Sequence, residues 1–434
     1  MNSPVPNTTI ASDFEVVIVR KLLWRLLPFL FLLYIVNYLD RINVGFAALQ
    51  MRSQLGFSDD VFGTGFGIFF IGYFFLQVPS NLALARVGAR RWMAAIMVVW
   101  GIVSCCMIFV RTPHGFYVMR FILGAAEAGF FPGIILYLKN WFPASARARA
   151  VAIFMTANPL AGVIGGPISG ALLNLHHFGL AGWQWMFILE GVPAVLLAGV
   201  VLVTLEDRPS DASWLHEHER AWLVAALNIE RQQHETAHRS DVWGAFLNWK
   251  VWLLTIVYFG LTASAYGLIL WLPVYIKSLS NLGNFGIGVV SIIPYIATAL
   301  AMVFIGVRSD RSGKHRMYLA GSAFLAAVFL LVAAYTTSIV PALTFVSLAL
   351  AATFCMQGPF WATGTSLISG TAAAAGIAII NSLGNLGGYF GPKIIGLSRM
   401  AGGGFRGGML VTTACLILAG VLSLVVRQRT QRAS

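Results

Sequence analysis

The chain has 434 residues, of which 58% are hydrophobic and only 10% are charged, and its formal net charge at pH 7 is +13. Soluble domains carry about 25% charged residues, so this composition excludes an ordinary soluble fold. It indicates an integral membrane protein.

Twelve apolar stretches follow one another along the chain, each near the ~20 residues that a helix needs to cross a bilayer. They lie at 24–46, 61–83, 92–110, 116–138, 150–173, 185–205, 251–275, 287–306, 317–336, 341–363, 374–397 and 408–426. The predicted fold is therefore all-α, with twelve transmembrane helices in two pseudo-symmetric bundles of six. Short connections in the second half leave the count open by one.

The polar segments divide the chain into parts. A tail at 1–23 precedes the first bundle (24–205), and a polar linker at 206–250 separates it from the second bundle (251–426) and a tail at 427–434. The linker contains four histidines, for which a solvated linker is favoured over a metal site. Its apolar residues predict an amphipathic helix at the membrane surface: Trp214, Leu215, Ala221, Trp222, Leu223 and Ala226.

The basic residues are distributed unevenly. With the N-terminus inside, 21 of the 29 lysines and arginines fall in inner segments and five in outer loops. This is the positive-inside pattern, so the net charge reports topology and excludes nucleic acid as the partner. A multi-pass protein of the bacterial inner membrane with both termini in the cytoplasm is predicted.

A basic loop occurs twice, in residues 81–91 (NLALARVGARR) and 306–316 (GVRSDRSGKHR), with matching positions 225 residues apart. Repeated halves are typical of transporters that handle their substrate between the halves. The loops are predicted to act in gating, and the residues concerned are Arg86, Gly88, Arg90, Arg91, Gly306, Asp310, Arg311, Gly313 and Arg316.

Four further stretches occur in order along the chain: YLDRINVGFA (38–47), RFILGAAEAGFFPG (120–133), GWQWMFILEGVPA (182–194) and NSLGNLGGYFGP (381–392). Together with the second basic loop they resemble the major facilitator superfamily, and within it the anion:cation symporters, which are bacterial organic-anion permeases. The first loop departs from the pattern, with Ala85 where the aspartate stands and Asn81 where the glycine stands.

Ionisable side chains within the spans are the candidate site. Of sixteen acids, only Asp40, Glu127 and Glu190 fall there, and an ionisable group at that depth costs several kcal/mol. Arg120 and Glu127 lie two helical turns apart on one face. In the family that the chain resembles, the first and fourth spans adjoin, so the resemblance implies a cluster of Asp40, Arg41, Arg120 and Glu127. In such a cluster carboxylates can take up protons and arginines can hold a substrate carboxylate. For Glu190, a structural hydrogen bond to a neighbouring helix is favoured.

The resemblance implies more specific roles. It assigns proton coupling to Asp40 and Glu127, places Arg41 and Arg120 nearby, and implies a pocket lined by Tyr73, Asn158, Trp361 and Asn381. The expected function is import of a small organic carboxylate with protons, by a monomer that needs no metal and no cofactor other than the proton. Tartrate, a sugar acid or an aromatic acid such as phthalate, hydroxyphenylacetate or a nicotinate-type compound would each suit such a pocket.

Other classes of function remain as alternatives. The same residues could serve export or facilitated diffusion of an aromatic acid. The chain contains no HExxH helix, no GxSxG elbow and no GxxxxGK[ST] phosphate loop. An integral-membrane enzyme or a sensor is therefore disfavoured, and the protein is predicted not to be an enzyme.

Overall fold

The structure is a computed structural model that describes residues 8–235, 242–367 and 373–425. Its regular structure in these ranges consists of α-helices and two short 3₁₀ segments, Met107–Phe109 and Pro209–Asp211. The helices of the first half are α1 (Thr8–Leu55), α2 (Asp59–Val87), α3 (Ala89–Cys106), α4 (Pro113–Glu127), α5 (Phe130–Trp141), α6 (Ala144–Met155), α7 (Ala157–Leu172) and α8 (Gly182–Thr204).

The remaining helices belong to the linker and the second half. The linker contains α9 (Glu217–Glu235) and α10 (Val242–Leu247). The second half contains α11 (Trp249–Leu279), α12 (Asn284–Val290), α13 (Ile292–Ser312), α14 (His315–Tyr335), α15 (Ile339–Cys355), α16 (Gln357–Leu367), α17 (Ala373–Asn385), α18 (Gly387–Met400) and α19 (Gly404–Val425).

Prolines explain why several predicted spans are two consecutive helices. A proline lacks an N–H and its ring clashes with the carbonyl four residues earlier, which interrupts the helix there. Four interruptions, at Gly129, Thr156, Ser291 and Met356, each lie three residues before a proline. The prolines are Pro132, Pro159, Pro294 and Pro359. The interruptions bend the spans without ending them.

The predicted membrane fold is confirmed. Among the described residues, ten helical stretches are long and apolar enough to cross a membrane, and they coincide with ten of the twelve predicted spans. The other two predicted spans, 24–46 and 374–397, lie in α1 and in the pair α17 and α18. The helix α1 begins at Thr8, well before the predicted start of its span.

The two halves meet closely at one end of the molecule. At this end, α2 packs on α18 and α7 packs on α12 through glycines. A Cβ at Gly63 would lie 2.9 Å from the carbonyl oxygen of Pro392, and one at Gly166 would lie 2.7 Å from that of Gly288. We call this end, which carries Asp59 and Arg399, the Asp59 end; the other, which carries the two basic loops, is the basic end.

The linker is anchored to the first half at the basic end. Lys21 of α1 pairs with Glu219 at 2.7 Å, and Arg147 of α6 pairs with Glu230 at 2.7 Å. Burial opposes ionisation of Glu219, but hydrogen bonds from Lys21 and from the His216 amide outweigh it and leave the pKa of Glu219 lowered from its ordinary value.

The predicted amphipathic helix is present as α9, but its apolar face contacts protein. Leu223 is fully buried, and Trp222 meets the ring of Phe14 edge to face at 6.1 Å. Just before α9, Trp214 stacks on Trp141 at 5.7 Å. The first half itself therefore covers part of the apolar face of this helix, and its position at the membrane surface stays a prediction.

Candidate functional site

The centre of the site is an ion pair between two spans of the first half. Arg41 Nη2 of α1 lies 2.8 Å from Glu127 Oε2, and Asn37 Nδ2 donates to the same oxygen at 2.9 Å. Both charged side chains are almost completely removed from solvent. Glu127 is the last residue of α4, next to the interruption that Pro132 causes. Pro132 therefore determines that α4 ends at Glu127.

A second arginine lies beside the pair but is not neutralised by it. Arg120 Nε donates to the carbonyl oxygen of Gly65 at 3.3 Å. Its guanidinium carbon lies 5.0 Å from the centre of the Phe69 ring, and that of Arg41 lies 5.1 Å from the same ring. Both terminal nitrogens of Arg120 are buried without a hydrogen-bond partner in the described part of the chain. They are donors available to an anion.

Asp40 points away from this pair. Its Oδ1 accepts hydrogen bonds from Ser104 Oγ of α3 and, at 3.1 Å, from Asn43 Nδ2. No arginine in the described residues is hydrogen-bonded to it. Successive helical residues project about 100° apart, so Asp40 and Arg41 cannot both face α4. The expected cluster of four charged residues is therefore divided into two.

The second half approaches the ion pair with aromatic side chains. Arg41 Nη1 donates to the Tyr266 hydroxyl of α11 at 3.4 Å, and the Tyr266 ring packs on Phe70 at 4.3 Å. Tyr73 of α2 lies 5.5 Å from the Arg41 guanidinium. The predicted pocket residues Arg41 and Tyr73 are thus brought together at the interface of the two halves.

Trp361 joins this interface through Tyr258. The two rings meet edge to face at 5.2 Å, and Tyr258 also stacks on Phe360 at 5.0 Å. Tyr258 is buried on α11, the helix that also carries Tyr266. Sequence reasoning missed Tyr258 and Tyr266. Their spacing of eight residues on the seventh predicted span, which puts both on nearly one helix face, was the signal that could have found them.

The predicted pocket residues Asn158 and Asn381 lie apart from the two arginines in the hydrogen-bond network. Asn158 of α7 is buried with its oxygen unpartnered, and Asn381 of α17 accepts from Asn385 Nδ2 at 3.2 Å. Neither is hydrogen-bonded to Arg41 or Arg120 in the described residues. An amide contact that does cross between the halves joins Ser382 Oγ to Gln77 Oε1 at 3.0 Å.

The two basic loops have matching geometry at the basic end. Gly88 and Gly313 adopt positive φ angles of 92° and 64°, which glycine tolerates without strain. In each half an arginine of the loop donates to a carbonyl in the last turns of that half's final span: Arg90 to Leu202 and Arg316, at 3.2 Å, to Ser423. Cations are favoured at that position by the helix dipole.

The acidic member of the loop differs between the copies. Asp310 is largely exposed, and His315 Nδ1 lies 3.9 Å from it. In the first copy Ala85 replaces the aspartate, but Asp207, just after α8, accepts from the Arg90 amide at 3.2 Å. A Cβ at Gly88 would lie 3.3 Å from the same carboxylate oxygen. A carboxylate is thus supplied to this loop from a distant part of the chain, which sequence comparison of the two loops could not reveal.

The remaining predicted loop residues are Arg86, Arg91, Gly306 and Arg311. Arg86, Arg91 and Arg311 are exposed at the basic end, and a Cβ at Gly306 would meet open space. The structure therefore places them at the surface near the loops and apart from the Arg41–Glu127 pair.

Several known proteins resemble the chain over nearly its whole length. A protein of Agrobacterium vitis, named as a candidate tartrate transporter, is 47% identical over 98% of this chain and 94% of its own length. The Pseudomonas putida protein NicT, named as a candidate metabolite transport protein, is 38% identical over 98% of both chains. The xylose transporter XylE of E. coli in its inward-open conformation has the same fold, with a TM-score of 0.74 at 14% identity, covering 94% of this chain and 98% of that one.

The family profile described as Major Facilitator Superfamily matches residues 30–392. That range includes both basic loops, the Arg41–Glu127 pair and the aromatic residues of the second half. The chain is not an enzyme; it belongs to the Major Facilitator Superfamily of membrane transporters.

Proposed function

We propose that the protein imports a small organic anion together with protons by alternating access across the bacterial inner membrane. The observation that carries this proposal is the buried Arg41–Glu127 pair beside the unpartnered terminal nitrogens of Arg120. Two guanidinium groups in a site closed to solvent attract a carboxylate strongly, because Arg donates two parallel hydrogen bonds in a fixed plane.

Proton coupling follows from competition for Arg41. An ionised Glu127 occupies the Arg41 guanidinium, with Nη2 and Oε2 2.8 Å apart. When Glu127 takes up a proton it loses its charge, and Arg41 becomes free to bind the substrate carboxylate. Loss of that proton on the other side restores the pair and displaces the anion. Proton and anion therefore enter and leave together.

Alternating access requires that the halves part at one end while they close at the other. They are in contact at the Asp59 end through the glycine faces of α2, α7, α12 and α18. The excess of basic residues at the opposite end supports a cytoplasmic position for that end. With this topology and both termini in the cytoplasm, the conformation is one that is closed to the outside.

We propose tartrate, or a hydroxy-dicarboxylate like it, as the substrate. Tartrate has two carboxylates and two hydroxyl groups. Arg41 and Arg120, whose guanidinium groups both lie next to the Phe69 ring, could each hold a carboxylate. Hydroxyl and amide groups of Tyr73, Asn158 and Asn381 would suit the hydroxyls. The A. vitis relatives, at 47% and 48% identity, carry the name of candidate tartrate transporters.

An aromatic acid is the second candidate substrate, by import, export or facilitated diffusion. The observation that favours it is the group of Tyr258, Phe360 and Trp361, whose rings lie 5.0 to 5.2 Å apart. Such a group offers edge and face contacts to a planar ring. A competition assay with tartrate, phthalate and nicotinate distinguishes the two candidates.

The replacement Glu127→Gln tests the coupling. Gln keeps the size of the side chain but cannot take up a proton, so tartrate should no longer accumulate in proteoliposomes under an inward proton gradient. Counterflow exchange of labelled tartrate at equal pH should persist. The matched control is Glu217→Gln, an exposed acid of α9, which should accumulate tartrate normally. Normal proton-driven accumulation in Glu127→Gln would remove Glu127 from the mechanism.

A further inference from the structure

Glu190 is a buried carboxylate that the proposed transport cycle does not use. It lies on α8 with 5% of its surface exposed, and Ser169 Oγ of α7 donates to its Oε1 at 2.7 Å. Its second oxygen, Oε2, is buried and has no hydrogen-bond partner in the described residues. A neutral acceptor such as a glutamine oxygen would be enough to accept the hydrogen bond from Ser169. The second, unsatisfied oxygen therefore requires another explanation.

Asn43 of α1 connects Glu190 to Asp40. Its amide nitrogen donates to Asp40 Oδ1 at 3.1 Å, and its side chain lies beside the Glu190 carboxylate. Ser104, the other donor to Asp40 Oδ1, packs on Gly191, the residue after Glu190: a Cβ there would lie 3.1 Å from the Ser104 Cβ. Asn43 is completely buried. An amide nitrogen has two hydrogens, so one side chain can serve both carboxyl groups. The unpartnered oxygens Asp40 Oδ2, Asn43 Oδ1 and Glu190 Oε2 complete this group.

The charges around these two acids do not balance. The charged groups that act on Asp40 are Glu127 and Arg120, and neither is hydrogen-bonded to it. In the described residues, Asp40 is the one charged group whose charge affects the Glu190 carboxylate. The titratable residue of α3 near Asp40 is Cys105. A buried carboxylate without a cationic partner is costly, and two that interact cannot both be ionised cheaply.

We propose that Asp40 and Glu190 form one proton-binding pair bridged by Asn43, in which Glu190 is a positioning residue that sets the proton occupancy of Asp40. A proton on either acid turns one of the three unpartnered oxygens into a donor that can serve a second one. No hydrogen bond joins this pair to the Arg41–Glu127 pair in the described residues, so a proton held here is additional to the one that Glu127 exchanges. Only the use of this proton in transport rests on the proposed function.

Infrared spectroscopy of the purified protein in lipid tests the pair directly. A protonated carboxylic acid has a carbonyl stretch that a carboxylate lacks, and Asp40→Asn and Glu190→Gln identify the two bands. In Glu190→Gln, the pH at which the Asp40 band falls to half should move by about 0.5 unit or more, roughly a threefold change in proton binding. The matched control Ser169→Ala removes the structural hydrogen bond but keeps both acids, and it should leave the Asp40 titration in place.

An unchanged Asp40 titration in Glu190→Gln overturns the proposal, as does an equal shift in Ser169→Ala or the lack of any protonated band in the unmodified protein. If Glu190→Gln does not fold, Asn43→Ser provides the second test, because removal of the bridge must alter both bands together. The transport proposal fails by a different result: uptake by the unmodified protein that ignores the proton gradient, which the infrared titration does not measure.

Discussion

Two arginines in one buried site have different environments. Arg41 is held by the Glu127 carboxylate and the Tyr266 hydroxyl, whereas Arg120 is held only through Nε and the Phe69 ring in the described residues. In the proposed cycle Arg41 exchanges partners, whereas Arg120 remains in place with its terminal nitrogens available to a ligand. The proposal thus assigns the coupling of proton and anion to Arg41 and the binding of the anion to Arg120.

Replacement of Arg120 by Lys tests whether its planar fork binds the anion. Lys keeps the charge but loses the stacking on Phe69, 5.0 Å away, and the two parallel donors. The apparent affinity for the transported acid should fall at least about tenfold, which corresponds to about 1.4 kcal/mol. The measurement is the substrate concentration at half-maximal counterflow.

The control for that change is Arg111→Lys, because Arg111 contacts only nearby backbone carbonyls of its own loop in the described structure. It should leave the apparent affinity within about twofold. If Arg120→Lys also leaves the affinity unchanged, bidentate binding of the carboxylate by Arg120 is wrong.

Single residues also set the limit of what the sequence predicts. That Asp40, Arg41, Arg120 and Glu127 are buried followed from their position in apolar stretches. Which of two successive residues faces α4 depends on the rotation of α1 about its axis. Packing against α7, α8 and α11 sets that rotation, and no local pattern encodes it. The spacing of Tyr258 and Tyr266 could have marked both as candidates, but the contact of Tyr266 with Arg41 crosses between the halves and could not be predicted.

At the scale of helices, the spans were predictable but their interruptions were overlooked. The prolines at 132, 159, 294 and 359 were visible in the sequence, and each breaks a span three residues earlier. The break before Pro132 puts Glu127 at a helix end. The helical hydrogen bonds are already interrupted there, so the backbone can bend without breaking more of them. Asp207, in contrast, could not be paired with the loop at Gly88 from sequence, because the contact crosses more than a hundred residues.

The contact between α7 and α12 gives a prediction at this scale. A Cβ at Gly288 would collide with the carbonyl oxygen of Gly166, and overpacking of this kind typically costs about 1–3 kcal/mol. Gly288→Ala should therefore loosen the halves at the Asp59 end. Cysteines replacing Asn174 and Asn284, whose side chains lie 3.4 Å apart, should form a disulfide less completely in that variant.

Gly283 provides the matched control, because it precedes the same helix and a Cβ there would meet nothing within 4 Å. Gly283→Ala should leave cross-linking complete. Equal cross-linking in the Gly283→Ala and Gly288→Ala variants would mean that the close approach of α7 and α12 does not hold the halves together.

At the scale of the whole molecule, one carboxylate joins three helices at the closed end. Asp59, the first residue of α2, pairs with Arg399 of α18 at 3.1 Å and with Arg52 of α1 at 3.2 Å. Arg399 is held by the Phe405 ring, 4.1 Å away. The Asp59–Arg399 pair crosses between the halves and is nearly buried, whereas Arg52 belongs to the same half as Asp59 and its side chain is 48% exposed.

The replacement Arg399→Gln should therefore shift the molecule away from the closed conformation. Loss of one partner of a buried pair typically costs about 3–5 kcal/mol, whereas an exposed pair contributes about 1 kcal/mol or less. Arg399→Gln should broaden and lengthen the distance between spin labels at Ser53 and Met400, measured by double electron–electron resonance, while Arg52→Gln should leave it unchanged. Equal distances in both variants would mean that the glycine contacts alone close this end. A lengthened distance in Arg399→Gln alone would mean that alternating access must break one ion pair to open the molecule to the outside.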